Sequence, residues 1–116
     1  ALANVKGALS AAGLDVEAAS LDNSTGLLTS RQGLSVTLTG KRVDGQGLLL
    51  NDQGQLLSDG TLDLTAADLD NRQGLVFSAG QQTLTVTGGA VQNGGGQLVA
   101  DGGLTLSSAS LANAAG

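Results

Sequence analysis

The side chains that could do chemistry in this chain are ten carboxylates and one adjacent basic pair, Lys41 and Arg42. Carboxylates that hold Ca²⁺ beside a Lys or Arg base would suit the cleavage of an acidic polysaccharide. The chain has no His and no Cys, so the usual acid–base group near neutral pH and thiolate metal ligands are missing. Asp15 and Asp63 fall at equivalent places in a repeat, but two units apart, at roughly 9–10 Å. We therefore expect no catalytic residues, no metal and no cofactor, and a polysaccharide-active enzyme is the remote alternative.

Charge and hydropathy exclude two further classes of protein. The net charge of −5 argues against a partner with a phosphate backbone, so no nucleic-acid binding is expected. No run approaches the roughly 18 apolar residues of a membrane span, and no signal-peptide pattern opens the chain. The 19 Gly residues would suggest disorder if they were aperiodic, but they recur in a fixed register.

A short motif, L-x-N-x-x-G, is written six times, once with Val in place of Leu. Successive copies are 19, 28, 20, 22 and 20 residues apart, which indicates a repeat of about 20 residues with one insertion of eight. The motif asparagines are Asn4, Asn23, Asn51, Asn71, Asn93 and Asn113.

Within each unit the apolar spacing is two, which predicts strands rather than helices. The second residue after the motif Gly is Leu9, Leu28, Leu56, Val76 or Leu98, and the fourth is always Ala or Ser. A further apolar pair, such as Leu62 and Leu64, predicts a second strand, and the motif itself starts a third. Glycine is expected at the corners to supply a positive φ. The two extra residues of the 22-residue unit are expected near Gln81 and Gln82.

A single unit cannot bury its apolar side, so we expect the units to fold only as a stack. Equivalent residues would then lie about 4.8 Å apart in parallel ladders. Leu28, Leu56, Val76 and Leu98 would fill the interior, and the six Asn residues would bond coil to coil at a turn. The prediction is an all-β protein, a parallel β-helix (solenoid) of about five three-strand coils, forming a single segment over 1–116.

The unit L-x-N-x-x-G-x-[LV]-x-[SA]-x-G…L-x-[LV] resembles the repeats of filamentous haemagglutinin and related two-partner-secretion exoproteins, a group that includes contact-dependent growth-inhibition proteins. "LDNRQGLVFSAGQQTLTV" (69–86) is the clearest copy. The resemblance implies a right-handed β-helix that is secreted through an outer-membrane partner at a Gram-negative cell surface. It also implies a structural shaft segment of a large filamentous adhesin, which extends a binding or effector region away from the cell.

A binding module for a host receptor or glycan is the alternative function, and two features could serve it. One is the insertion, placed at 37–48, with Lys41 and Arg42. The other is an outward apolar stripe that contains Leu57, Phe77 and Val99, with Leu27 and Leu75 beside it. Because the first and last motifs share one phase and neither end has a polar cap, we expect a slice of a longer array, with flanking coils of the same polypeptide as partners.

Overall fold

The computed structural model describes residues 2–40, 47–87 and 89–113, and its regular elements are all β-strands. Within those ranges no helix is long and apolar enough to cross a membrane. The strands are β1 (Leu2–Ala3), β2 (Ala8–Ala11), β3 (Leu14–Ala18), β4 (Leu21–Asp22), β5 (Leu27–Ser30), β6 (Leu34–Leu38), β7 (Leu48–Leu50), β8 (Gln55–Ser58), β9 (Leu62–Ala66), β10 (Asp68–Asp70), β11 (Leu75–Ser78), β12 (Gln81–Val86), β13 (Ala90–Gln92), β14 (Gln97–Ala100), β15 (Gly103–Ser107) and β16 (Ser110–Ala112).

The strands form three parallel sheets, in which each strand pairs with the one three places later in the chain. Sheet A has the order β1-β4-β7-β10-β13-β16 and contains the L-x-N strands. Sheet B has the order β2-β5-β8-β11-β14, and sheet C has the order β3-β6-β9-β12-β15. The chain therefore winds as a parallel β-solenoid of about five coils of roughly 20 residues, which confirms the predicted fold class. Because the chain has no Pro, every residue beyond the first can donate its amide to a ladder.

The core is a set of apolar columns that run along the solenoid axis. Sheet B contributes Leu28, Leu56 and Val76, each with no exposed surface. Sheets A and C complete the interior with buried Leu and Val at alternate positions, namely Leu21, Leu49, Leu69, Val91, Leu34, Val36, Leu62, Leu64, Leu84 and Val86. The same columns open to solvent in the last turn, where Leu104 is 44% exposed and Leu111 is 50% exposed.

The extra residues of the 22-residue coil lie at a different corner from the one expected. Gln82 pairs with Leu62 and Leu84 pairs with Leu64, so the residues Gln81 and Gln82 belong to the ladder. The amide of Gly80 donates to the Gly60 carbonyl, and this corner between sheets B and C stacks without a bulge. The surplus is taken up after Val86, before β13 begins at Ala90. As a consequence, Gln82 occupies an interior column with no exposed surface.

The expectation that glycine supplies a positive φ at the corners holds for Gly47, Gly95 and Gly103 but not for the described glycines of the L-x-N-x-x-G motif. The left-handed residue is the one before each of them: Lys6 at 57°, Thr25 at 53°, Gln53 at 59°, Gln73 at 58° and Gly95 at 68°. The motif Gly is needed for space instead. At Gly74 an added Cβ would clash with the carbonyl oxygen of Asn51 and lie 2.6 Å from Asn71 Oδ1. The same two contacts recur at Gly26, Gly54 and Gly96.

The insertion is narrower than the predicted 37–48 segment. β6 continues to Leu38 and β7 begins at Leu48, so both ends of that segment are strand residues. The amides of Gly40 and Gly47 both donate to the Ala19 carbonyl, at 3.1 and 2.9 Å. Gly40 and Gly47 therefore lie together at the corner between sheets C and A.

Candidate functional site

The structure brings the six motif asparagines into one continuous chain of side-chain hydrogen bonds at the corner that follows sheet A. The Nδ2 of each of the first five donates to the Oδ1 of the Asn in the next coil. The distances are 2.8 Å for Asn4 to Asn23, 2.8 Å for Asn23 to Asn51, 2.7 Å for Asn51 to Asn71, 2.8 Å for Asn71 to Asn93 and 2.7 Å for Asn93 to Asn113. Of the four inner members, Asn23, Asn51 and Asn71 have no exposed surface and Asn93 is buried.

Four side-chain amides of this asparagine ladder, those of Asn4, Asn23, Asn51 and Asn71, also donate to a backbone carbonyl of the following coil. Asn71 Nδ2 lies 3.0 Å from the Gln97 carbonyl oxygen, and Asn51 Nδ2 lies 3.2 Å from that of Leu75. Within its own coil the Asn71 carbonyl accepts the amide of Gly74 at 3.0 Å, which closes the turn. All donors point towards the last coil and all acceptors towards the first, so the ladder has a direction.

A second polar ladder, which sequence reasoning missed, closes the corner between sheets B and C. Ser30, Ser58 and Ser78 are buried and stack in register. Their hydroxyls donate to nearby carbonyls, at 2.6 Å to Gly33, 2.7 Å to Thr61 and 3.0 Å to Gly80. The sequence signal for this ladder is the small residue, Ala or Ser, that lies four places after each motif Gly.

Gln82 is the one polar side chain that interrupts an apolar column in the described part of the interior. Its Nε2 donates to the Val99 carbonyl at 2.8 Å, which links the fourth coil to the fifth. Its Oε1 is buried and has no partner among the residues described. A buried acceptor without a donor costs about 1–3 kcal/mol.

Asp70 and Arg72 form an ion pair beside the ladder. Arg72 Nη2 lies 2.6 Å from Asp70 Oδ2 and Nε lies 3.0 Å from Oδ1. Partial burial alone would raise the pKa of Asp70, but the hydrogen bonds and the charge of Arg72 outweigh it and bring that pKa below its ordinary value. The hydrogen bond to Asp70 and its charge raise the pKa of Arg72 in turn. This pair shapes the turn and offers no reactive group.

The outward apolar stripe is continuous over three coils. Phe77 pairs directly with Leu57 on one side and with Val99 on the other. Leu57 and Phe77 are half-buried, and Val99 is 37% exposed. Leu27 and Leu75 lie in the neighbouring outward column, where Gln55 separates them. Lys41 and Arg42 lie outside the described residues.

The acidic candidates are not brought into a cluster. Asp15 and Asp63 share an outward column of sheet C, with Ser35 between them. They line one side of an open groove of about 430 Å³ that runs past Gly13 and Gly33. Across the described ranges, no three His, Cys, Asp or Glu side chains are placed to hold a metal ion. The hydrogen bonds and the buried side chains of this arrangement join each coil to the next.

Comparison with known proteins agrees with this arrangement of repeats. The family model described as Haemagglutinin repeat matches residues 1–41, 42–83 and 77–116, so its three matches together span the whole chain. No curated protein and no solved structure matches the chain. A repeat of L-x-N-x-x-G units that is matched over its whole length shows the family, and the chain belongs to the haemagglutinin-repeat family.

Proposed function

We propose that this chain is a structural shaft segment of a large secreted filamentous adhesin, which holds a binding or effector region away from the cell surface. The observation that carries the proposal is the asparagine ladder, which runs unbroken from Asn4 to Asn113 through every coil. The family match also supports the proposal, since haemagglutinin repeats are typical of bacterial surface adhesins.

Rigid extension follows from how the coils are joined. Each inner coil is bonded to both neighbours along three sheets and by its Asn side chain, while the interior columns exclude water. A bend would have to break several of these bonds on one side at once. Each coil adds about 4.8 Å of length, so the reach of a shaft grows with the number of repeats.

The setting of this role is part of the proposal. We place the chain outside a Gram-negative cell, exported by an outer-membrane secretion partner, and we assign it no catalytic activity. That the chain is one segment of a longer array, with flanking coils of the same polypeptide, stays a prediction.

The test is to display the chain between an outer-membrane anchor and a tip domain that binds a known sugar. The control replaces the chain by a glycine–serine linker of equal length, which behaves as a flexible coil. Energy transfer between dyes on the anchor and on the tip should give a narrow distance distribution for the chain and a broad one for the linker. Equal breadth in the two would contradict the shaft role.

The outward apolar stripe favours a second function, a binding module for a host receptor or glycan. Three apolar side chains in register on a sheet surface, with the aromatic ring of Phe77 in the middle, form a compact contact area. The isolated chain should then bind host cells or a glycan array, and Phe77→Ser should abolish binding while Thr83→Ser, on the outward side of sheet C, should not. A chain that binds nothing would leave the shaft as its role.

A further inference from the structure

Asn93 is the one asparagine of the sequence that is followed by glycine. The residues that follow the six motif asparagines are, in order, Val5, Ser24, Asp52, Arg72, Gly94 and Ala114. Glycine has no Cβ and few restrictions on its backbone angles, so its amide nitrogen can come closest to the side chain before it. Asn93 and Gly94 are therefore the pair in which the main chain can most readily attack a side-chain amide.

The reaction open to this pair is deamidation, which needs only water as a co-reactant. The backbone nitrogen of Gly94 loses its proton to solvent and forms a bond to Cγ of Asn93. The bond from Cγ to Nδ2 breaks, and Nδ2 takes up a proton and leaves as ammonia. Water then opens the five-membered succinimide ring. Attack at Cγ gives aspartate, and attack at the main-chain carbonyl carbon gives isoaspartate.

The attacking amide is less engaged here than in two other coils. In those coils the amide after the motif Asn donates to a carboxylate two residues earlier, namely Ser24 to Asp22 at 3.0 Å and Arg72 to Asp70 at 3.2 Å. The residue two places before Gly94 is Gln92, which is exposed. Among the described residues, the Gly94 amide donates no hydrogen bond. The folded chain therefore does not hold back the nitrogen that attacks.

The asparagine ladder holds back the other partner of the reaction. Asn93 is 4% exposed. Its Oδ1 accepts from Asn71 at 2.8 Å, and its Nδ2 donates to Asn113 at 2.7 Å. Its carbonyl also accepts the amide of Gly96 at 3.0 Å, which closes the turn. Attack makes Cγ tetrahedral and expels Nδ2, so the bonds of the ladder on both sides of Asn93 must break first.

We propose that Asn93 is a deamidation site, and that the asparagine ladder controls how fast it reacts. The folded corner withholds the side chain, and local opening of the corner releases it to Gly94. Such opening requires less free energy than global unfolding. The modification accumulates in the folded protein in proportion to the time that this corner spends open. This inference is independent of the proposed shaft function.

Deamidation would interrupt the ladder at the modified coil. An aspartate carboxylate accepts hydrogen bonds but donates none. It could still accept from Asn71, but it would face Asn113 Oδ1 with oxygen against oxygen. A charge would also enter a buried position, which is unfavourable. Isoaspartate would in addition lengthen the main chain by one atom within the turn. Either product should weaken the contact of this coil with the next.

The site and its protection can be tested by mass spectrometry of the chain at mildly alkaline pH, folded and in urea. In urea, Asn93 should react at least about tenfold faster than any other asparagine, because only its neighbour lacks a side chain. In the folded chain its reaction should be at least about tenfold slower than in urea, because the corner must open first. Equal rates at Asn93 in the two states, or faster reaction at another asparagine in urea, would overturn the proposal.

The exchange of NH₂ for OH raises the mass of the peptide, and this gain identifies deamidation. Three Asp–Gly pairs, at 44–45, 59–60 and 101–102, can form isoaspartate through the same ring, but without a gain in mass. Fragmentation of the peptide that contains 93–94 then assigns the gain to one residue.

Two variants test whether the glycine is responsible. Gly94→Ser reproduces the Asn–Ser pair at 23–24 and should slow the reaction at Asn93 in urea at least about tenfold. The position carries a side chain in other coils, so this variant should fold. Ser24→Gly makes a second Asn–Gly pair, and Asn23 should then react in urea as fast as Asn93 does. Rates that stay unchanged in both variants would overturn the proposal.

A matched pair of ladder variants tests the control by neighbouring coils. Asn71→Ala removes the donor to Asn93 Oδ1, so it should speed deamidation of the folded chain and leave the rate in urea unchanged. Asn23→Ala, the same change farther along the ladder, should have a smaller effect. Circular dichroism checks that both variants fold. Equal acceleration by the two would show that global unfolding releases the side chain, which would overturn local control by the ladder.

The effect of the product can be measured with Asn93→Asp, which makes the aspartate directly. This variant should melt at a lower temperature than the unmodified chain. Gln92→Glu adds a charge at the exposed neighbouring position of β13 and should leave the melting temperature nearly unchanged. Equal melting temperatures of the two variants would contradict the interruption of the ladder by deamidation.

Discussion

Asn71 joins three coils through one side chain. Its Oδ1 accepts from Asn51, and its Nδ2 donates to Asn93 Oδ1 and to the Gln97 carbonyl. A buried amide in this position satisfies groups that the coils on either side cannot satisfy themselves. The repeat therefore requires Asn, because no other side chain of this length offers a donor and an acceptor at once.

Asn71→Ala should destabilise the chain by about 2–4 kcal/mol, because several buried groups lose their partners together. Asn113→Ala, the same change at the exposed end of the ladder, should cost less than about 1 kcal/mol. Urea unfolding of both variants measures the free energy of unfolding. Equal losses at the two sites would mean that the ladder contributes little beyond the backbone sheets.

Glycine is required at position 74 because there is no room for a Cβ, and not because of its backbone φ. Gly74→Ala should destabilise the chain by about 3 kcal/mol or more, since the new Cβ meets the Asn51 carbonyl of the coil beneath. Gly13→Ala is the matched control, because a Cβ there meets nothing within 4 Å. That change should be neutral or stabilising by up to about 1 kcal/mol. A thermal melt of each variant decides the point, and similar melting temperatures would contradict the steric argument.

Asp70 should make the stability depend on pH in the acid range. Its pKa is lower in the folded chain than in the unfolded one, so the unfolded chain binds the proton more tightly. The stabilisation by Arg72 is thus complete above the ordinary Asp pKa of about 4 and is lost as the pH falls through the folded value. The difference in melting temperature between the unmodified chain and Asp70→Asn should shrink below about pH 4. A difference that is constant with pH would show that the ion pair is not its source.

At the scale of the strands, the repeat pattern predicted the sheets correctly but placed the extra residues of the 22-residue coil at the wrong corner. The alternation after each motif Gly was sufficient to predict parallel strands in three sheets, because stacked coils have one way to bury identical apolar positions. The pattern misplaced Gln82, because an alignment of Leu84 with Leu62 puts apolar residues opposite each other. The structure pairs Gln82 with Leu62 instead. The chain keeps the Gly60–Gly80 corner in register instead, and the buried Gln is the result.

Gln82→Leu should therefore stabilise the chain by about 1–2 kcal/mol, because it removes a buried acceptor without a partner and restores the apolar column. The loss of the bond to the Val99 carbonyl offsets part of this gain. Gln81→Leu, at the exposed neighbouring position, should change stability by less than about 0.5 kcal/mol. Chemical denaturation measures both variants. A clear destabilisation by Gln82→Leu would indicate that Oε1 is hydrogen-bonded in solution.

At the scale of the whole molecule, stability should vary along the axis. When the 116-residue chain is studied by itself, its inner coils are bonded on two sides and its first and last coils on one, so local opening should start at these two coils. In dilute solution the amides of β8 should exchange most slowly and those of β15 much faster. Hydrogen exchange followed by mass spectrometry measures this gradient. Uniform protection from end to end would show that the solenoid opens as one unit.

The sequence was sufficient to predict the fold class, because the repeat places the same residue types at equivalent positions in several coils. The candidate sites were less accessible to prediction. The spacing of the small residues marks where the serine ladder lies, but it does not show that the hydroxyls bond to carbonyls of the corner. The steric role of Gly74 depends on a carbonyl that belongs to another coil. Interactions between coils are absent from any single unit of the sequence.

The junction at Ala19 has a practical consequence. The amides of Gly40 and Gly47 donate to the same carbonyl, so these two residues lie together at one corner of the solenoid. We expect that a foreign peptide of another length, placed between Gly40 and Gly47, would leave the register of the neighbouring turns unchanged. This corner is therefore a suitable insertion point for displaying an epitope on the solenoid.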